Sequence, residues 1–311
     1  MEVRPLNFSL RMVNLWIGLC KGVPGLPKDL RRLGYDVKGI EYPFANSNSR
    51  DVKPELTVVS DDLGHTILLE CKSGANTDAE QLQRYADVKA NDLTSKAFVS
   101  RRGAQSHDTL ILGLPEHEMR LTRGISSANC NFPLVIARDD GLELVCNKFR
   151  PSELNDKVFS PKLAIPLDCQ TLSFVPFDTE SDLWVVADNV MPLLLEYMHK
   201  RETVVMLDKV CADMFQGLWT AIGGEQQKTL RNKMRSVLIL ASQKHFGRYL
   251  EVQSNSGQRG KTLTWDIRNN PLDLSTDKRR KEFRLLSRLQ KQFIDSLRDN
   301  KEAKCQRYFD F

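Results

Sequence analysis

Two carboxylates and an ammonium stand out because of where they fall in otherwise apolar sequence. Glu55 opens the run Leu56–Val59, and Glu70 and Lys72 close the run Thr66–Leu69. The polar segment Ser60-Asp61-Asp62-Leu63-Gly64-His65 lies between the runs, so they read as adjacent strands of one hairpin. The hairpin would carry Glu55, Glu70 and Lys72 to one edge of a sheet. Charges buried at the ends of apolar strands are costly unless they pair with one another or hold a metal. The competing reading is structural: a half-buried strand pair whose end charges form a surface ion pair, followed by an ordinary amphipathic helix.

The acid-x-Lys pattern is not rare in this chain. Asp36-Val37-Lys38, Asp51-Val52-Lys53, Asp87-Val88-Lys89, Asp299-Asn300-Lys301 and Glu302-Ala303-Lys304 share it. Context sets Glu70-Cys71-Lys72 apart, because it ends an apolar run, follows a Pro-acidic strand by one hairpin, and precedes a helix. That helix, expected over Thr77–Leu93, carries Gln81 and Tyr85, whose spacing of four puts them on one face. Before the hairpin, residues 9–33 read as helix with a break at Gly22-Val23-Pro24-Gly25, and residues 35–44 as a strand. After it, Lys96–Ser100 reads as a further strand, and residues 101–130 give no clear pattern. Phe132–Ala137 and Leu142–Cys146 form a hairpin around Asp140-Gly141. Leu163–Phe177 is extended and interrupted by Pro166 and Pro176.

This segment resembles the catalytic core of the PD-(D/E)XK nuclease superfamily. Pro54-Glu55 stands in the first motif position, Glu70-Cys71-Lys72 in the second, and Gln81-x-x-x-Tyr85 is similar to a nucleic-acid-contacting motif of the RecB-like branch. Glu55 is one methylene longer than the Asp usual there. On the first helix, where many members carry a Glu, residues 9–33 offer only Asp29, and Glu41 is a candidate extra acid. The resemblance covers the first third to half of the chain. It implies an α/β fold, a restriction-endonuclease-like mixed sheet flanked by helices, and metal-dependent hydrolysis of a DNA phosphodiester.

In that chemistry Glu55, Glu70 and the backbone carbonyl of Cys71 are the implied ligands of Mg²⁺ or Mn²⁺, hard cations that take one or two carboxylates and keep several waters. The ion acidifies a bound water and polarises the phosphoryl oxygen. Lys72 is implied to orient that water and stabilise charge on the phosphate. The Cys71 side chain should point to the sheet face opposite Glu70 and Lys72.

Composition sets the wider frame. The chain has 311 residues, enough for two domains, with globular contents of 41% hydrophobic and 27% charged residues. Seven scattered cysteines with no Cys-x-x-Cys pair argue against a structural zinc site or a disulfide framework and fit a reducing compartment. No signal-peptide pattern or membrane-length apolar run is present, so a soluble, cytoplasmic protein without a membrane partner is expected. The five histidines show no metal-ligand spacing, and His65 reads as a hairpin-turn residue.

Charge is unevenly spread. Residues 201–311 carry 22 Lys and Arg against 13 Asp and Glu, whereas residues 1–200 carry 23 against 27. A nuclease domain over 1–178 and a basic second domain over 179–311 are therefore expected, the latter docking nucleic acid. Three helical patterns follow the boundary. One runs from Trp184 through Tyr197 with Pro192 inside it, a second from Leu207 to Ile222, and a third from Glu225 to Phe246. Alternating stretches at Tyr249–Gln253 and Lys261–Ile267 then flank a Gly-rich basic tip. This order resembles a winged-helix domain, in pattern only. The resemblance implies that Lys228, Arg231, Asn232 and Arg235 on the third helix, with Arg259 and Lys261 on the wing, meet duplex DNA. A helical protein-interaction module is the alternative. A last helix, Asp277–Arg298, opens with Lys278-Arg279-Arg280-Lys281, where cations oppose the helix dipole.

The leading expectation is a DNA endonuclease of restriction, phage defence, repair or transposition. The alternatives are a ribonuclease, or an inactive nuclease-fold DNA-binding or scaffold subunit. No Walker loop is present, so any ATPase or helicase would be a separate subunit; a homodimer stays open.

Overall fold

The computed structural model describes residues 7–75, 78–94, 98, 106–165, 172–253 and 264–299. It divides into two compact units, residues 1–174 with 220–224, and residues 175–219 with 225–311. No helix among the described residues is long and apolar enough to cross a membrane.

The first unit is built on a seven-stranded mixed sheet. Helix α1 (Phe8–Lys21) starts where the Asn7 side chain accepts from the Leu10 N–H, and ends at Gly22, whose φ of 66° lets its N–H turn back to the carbonyls of Gly18 and Leu19. A short α2 (Asp29–Arg32) leads to β1 (Tyr35–Ile40). Two small strands, β2 (Phe44–Ala45) and β3 (Asp51–Val52), pair with each other. Next come β4 (Leu56–Ser60) and β5 (His65–Lys72), an antiparallel hairpin in which Leu56 faces Leu69. Both strands are buried along nearly their whole length, as their unbroken apolar runs require.

The expected helix over 77–93 is two helices, α3 (Ala79–Ala86) and α4 (Ala90–Thr94). Asp78 caps the first by accepting from the Glu80 N–H. The break follows from Asp92, whose carboxylate reaches back to the Lys89 N–H and starts a new helix there. The strand expected at Lys96–Ser100 lies outside the described residues except for Phe98. The strand that pairs with β5 is β6 (Ser106–Gly113), in the stretch that gave no clear sequence pattern. It runs parallel to β5, with Glu70 opposite Ile111 and Lys72 opposite Gly113. Helix α5 (Glu118–Ser127) follows, then the Asp-Gly hairpin β7 (Leu134–Arg138) and β8 (Gly141–Cys146), and β9 (Leu163–Ala164). The strand order is β1-β4-β5-β6-β7-β8-β9. Of the stretch 163–177, read as extended, only Leu163–Ala164 is strand among the described residues.

Leu68 of β5, Leu82 and Tyr85 of α3, Ile111 of β6, and Leu121 and Ile125 of α5 belong to one buried cluster. Tyr85 sits in this core because an aromatic ring at that helical position faces the sheet.

In the second unit, α6 (Leu183–His199) contains Pro192. A three-residue strand, β10 (Val204–Met206), precedes α7 (Leu207–Met214). The helix expected to continue to Ile222 stops earlier, because Gln216 and Gly217 take positive φ. Helix α8 (Gly224–Lys244), strands β11 (Leu250–Gln253) and β12 (Thr264–Ile267), and helix α9 (Thr276–Asp299) complete the unit. Its sheet has the order β10-β12-β11, antiparallel throughout.

Candidate active site

Strand β5 carries Glu70 and Lys72 at its C-terminal end, two residues apart and therefore on the same face. The Lys72 ammonium donates to Glu70 Oε1 at 2.9 Å. Both residues are largely shielded, with side-chain exposures of 15% for Lys72 and 8% for Glu70. They therefore do not form the surface ion pair of the structural reading.

Helix α3 completes the arrangement. Gln81 donates from Nε2 to Glu70 Oε1 at 2.6 Å and accepts at Oε1 from Lys72 at 2.6 Å. Tyr85 donates its hydroxyl to Glu70 Oε2 at 2.7 Å. Glu70 thus accepts from three side chains, and each of its oxygens is held. Burial and the adjacent Glu70 keep the Tyr85 hydroxyl well above its usual pKa, so it remains a donor. Gln81 and Tyr85, expected to meet nucleic acid, both turn toward the end of β5. Tyr85 is 3% exposed and its hydroxyl faces the Glu70 carboxylate, whereas Gln81 faces both that carboxylate and the Lys72 ammonium.

Glu55, just ahead of β4, lies on the other side of the hairpin's end. Its backbone N–H donates to the Leu69 carbonyl at 3.1 Å, which fixes its register against β5. One carboxylate oxygen accepts from Ser9 Oγ at 2.9 Å and the other from the Cys71 backbone N–H. Burial first, then the neighbouring Glu70, push its pKa from 4.5 up to about 8. The Cys71 thiol is buried, and its pKa is pushed well up by burial and then by Glu55 and Glu70, so it is an inert thiol rather than a nucleophile.

Ser9 is the contact of the candidate site that sequence reasoning missed. It lies in the first turn of α1, in the region where an acid was sought. No spacing in the sequence connects it to Glu55, 46 positions away. Asp29, the acid noted in that region, pairs with Arg32 at 3.5 Å within α2. Glu41 pairs with Lys53 at 2.8 Å.

Two hard carboxylates that repel each other at one sheet edge fit a divalent cation, which would relieve that repulsion. Among the described residues no three His, Cys, Asp or Glu side chains gather as a ligand set. The residues that could hold such an ion are Glu55 and Glu70 through their side-chain oxygens and Cys71, paired with Leu112 in the sheet ladder, through its backbone between Glu70 and Lys72.

His65 is not a turn residue. It opens β5, is fully buried, and bridges Tyr35 OH at 2.7 Å and Asp108 Oδ2 at 3.1 Å. Asp108 also accepts from the Arg150 N–H at 2.8 Å. This network ties β1, β5 and β6 together at the end of β5 far from Glu70.

The second unit places its expected DNA contacts unevenly. Lys228 is exposed. Arg231 pairs with Asp208 at 2.7 Å, and Asn232 and Arg235 are half-buried, which leaves them less free than their helical positions suggested. Arg259 and Lys261 lie outside the described residues.

Residues 9–158 match the family model of the MJECL32 domain. The match contains Ser9, Glu55, Glu70, Lys72, Gln81 and Tyr85 and none of the second unit. Neither a curated protein nor a solved structure matches the chain.

Proposed function

We propose that the chain is a metal-dependent DNA endonuclease of the PD-(D/E)XK type, with a winged-helix-like second unit that docks duplex DNA. One observation carries this reading. Glu70 and Lys72 at the end of β5, Gln81 and Tyr85 on the following helix, and Glu55 across the hairpin form one shielded polar cluster. The strand directions around it support the reading: β1, β4 and β5 are antiparallel in turn, and β5 is parallel to β6 after a helical crossover. In the second unit, support comes from three helices, α6, α7 and α8, ahead of the β11–β12 pair and from a strand order β10-β12-β11, the order expected when a first strand joins a C-terminal hairpin.

In the mechanism, Glu55, Glu70 and the Cys71 carbonyl would hold Mg²⁺ or Mn²⁺, which supplies an acidified water and a polarised phosphoryl oxygen. Tyr85 and Gln81 hold the Glu70 carboxylate in a single orientation. Gln81 also holds the Lys72 ammonium beside it, so the positive charge is positioned before substrate arrives. Lys72 orients the attacking water and stabilises the charge that develops on the scissile phosphate; such preorganised donors are worth a few kcal/mol each. Ser9 fixes Glu55 from the helix side.

The test is incubation of the protein with plasmid, linear duplex, single-stranded DNA and RNA in Mg²⁺, Mn²⁺ or EDTA. Metal-dependent cleavage of duplex DNA is expected. Cleavage of RNA alone would make it a ribonuclease, and no cleavage under any condition would leave a binding or scaffold subunit.

A further inference from the structure

Helix α9 carries a row of cations for which the fold has no use. From Lys278 to Lys291 the chain holds seven Lys and Arg and a single acid, Glu282. That acid faces inward, accepting from the Tyr249 hydroxyl and pairing with Arg248 at 3.3 Å. One of the cations is also structural: Arg279 turns back to the carbonyls of Leu272 and Leu274 at 2.9 and 3.2 Å. The buried side of the helix is formed by Leu286, Phe293 and Ile294.

At 100° per residue, Lys281, Arg284, Arg288 and Lys291 fall in one narrow arc on the opposite side. All four are exposed, and none takes part in an ion pair among the described residues. Exposed Lys278 and Arg280 extend the row into the first turn, against the helix dipole. Like charges at i,i+3 and i,i+4 spacing also destabilise a helix. Both effects are unfavourable in the free protein and reverse when a polyanion lies along the row.

The row spans about 15 Å of helix, ten residues at 1.5 Å each. Duplex DNA presents about one phosphate charge per 1.7 Å of its axis, so such a length offers more partners than there are cations. An anionic membrane is disfavoured, because interfacial helices need exposed apolar groups beside the cations. Among the described residues the exposed large hydrophobics, Met119, Val204 and Met206, all lie off α9. The contrast with α8, whose Arg231 is already paired with Asp208, points the same way.

We propose that the exposed face of α9 binds the phosphate backbone of duplex nucleic acid, independently of sequence. The choice of a duplex rests on the nuclease reading; the charge row does not.

The test uses the full chain in EDTA, with fluorescence anisotropy of two labelled 25-base-pair duplexes of unrelated sequence between 50 and 200 mM salt. The variant K281Q/R284Q/R288Q/K291Q should bind both duplexes at least tenfold more weakly at 100 mM salt. Its log–log salt slope should be shallower by about 3 to 4 units, near 0.9 for each phosphate no longer neutralised. Should that variant fail to fold by circular dichroism, K281Q/R284Q and R288Q/K291Q should each show about half of this effect. The charge-preserving K281R/R284K/R288K/K291R should bind as wild type does. Wild-type affinity and slope in the folded Gln variants overturns the inference, as does binding to phosphatidylserine vesicles but to neither duplex. Plasmid cleavage in Mg²⁺ separates the two claims. Binding through α9 without cleavage refutes the nuclease reading alone, and cleavage with unchanged binding in the variants refutes this inference alone.

Discussion

Replacing Glu55 by Gln should stabilise the metal-free protein at alkaline pH and leave it nearly unchanged in acid. Burial and the nearby Glu70 raise the Glu55 pKa from 4.5 to about 8 in the folded chain. Below about 4.5 the carboxyl is neutral in both folded and unfolded chains, and it costs nothing. Between 4.5 and 8 the unfolded chain ionises while the folded chain keeps the proton, so stability falls as pH rises; above 8 the loss levels off. At about 1.4 kcal/mol per pH unit the full window corresponds to roughly 4–5 kcal/mol. Halving it for the part of the side chain that water still reaches leaves roughly 2 kcal/mol. Gln removes that term and, like the neutral acid, offers one acceptor oxygen to the Cys71 N–H and one donor to the Ser9 hydroxyl, so it keeps both contacts of the protonated side chain. The net expectation is about +2 kcal/mol at pH 8.5 and about zero at pH 4.5. For a unit of this size the alkaline value corresponds to a melting increase of roughly 4–8 °C, which disappears toward pH 4.5. Differential scanning calorimetry in EDTA at pH 4.5, 6, 7 and 8.5 reads this directly. A melting difference that stays constant across pH would refute the reasoning, because Glu55 would then hold the same charge in both states.

Other variants separate positioning from structure. Tyr85→Phe removes one buried donor to Glu70 and should cost about 1 kcal/mol of stability. It should lower kcat several-fold with little change in KM, in contrast to the complete loss expected for Glu70→Ala; equal losses would make Tyr85 more than a positioning residue. His65→Ala strands the Tyr35 hydroxyl and removes a partner of Asp108, at roughly 2–4 kcal/mol by urea denaturation. It should leave cleavage at low temperature unchanged, since His65 and Glu70 lie about 16 Å apart along β5. Arg231→Ala should change stability by less than about 0.5 kcal/mol and weaken duplex binding less than Lys228→Ala, measured by anisotropy, because Arg231 is engaged with Asp208.

The clustering of the candidate residues was legible because its signal is local. Glu70 and Lys72 fall in one strand, Glu55 just ahead of the strand one hairpin earlier, and Gln81 and Tyr85 on the next helix, so hairpin and helix periodicity were enough to bring them together. What those rules could not supply was direction. Gln81 and Tyr85 share a helix face, but whether that face meets the sheet or solvent depends on how α3 packs, and burial of Tyr85 beside Leu68 and Ile111 decides it. Ser9 and the Tyr35–His65–Asp108 network come from residues 30 to 46 positions apart, joined only by tertiary packing. Strand β6 was missed because Ser106-His107-Asp108 gives its first half a polar look, although Asp108 is buried and satisfied by His65 and Arg150. Strand β10 was missed because three residues are too few to show a period of two.

The central claim is that Glu70 and Lys72 carry phosphodiester hydrolysis, and supercoiled plasmid tests it most directly. Wild type, Glu70→Gln and Lys72→Ala, each checked for fold by circular dichroism, are incubated with plasmid in Mg²⁺ and in EDTA. The account predicts nicking or linearisation by wild type in Mg²⁺ alone and none by either variant. Cleavage by either variant at the wild-type rate, or an inert wild-type protein in Mg²⁺ and Mn²⁺, would contradict it.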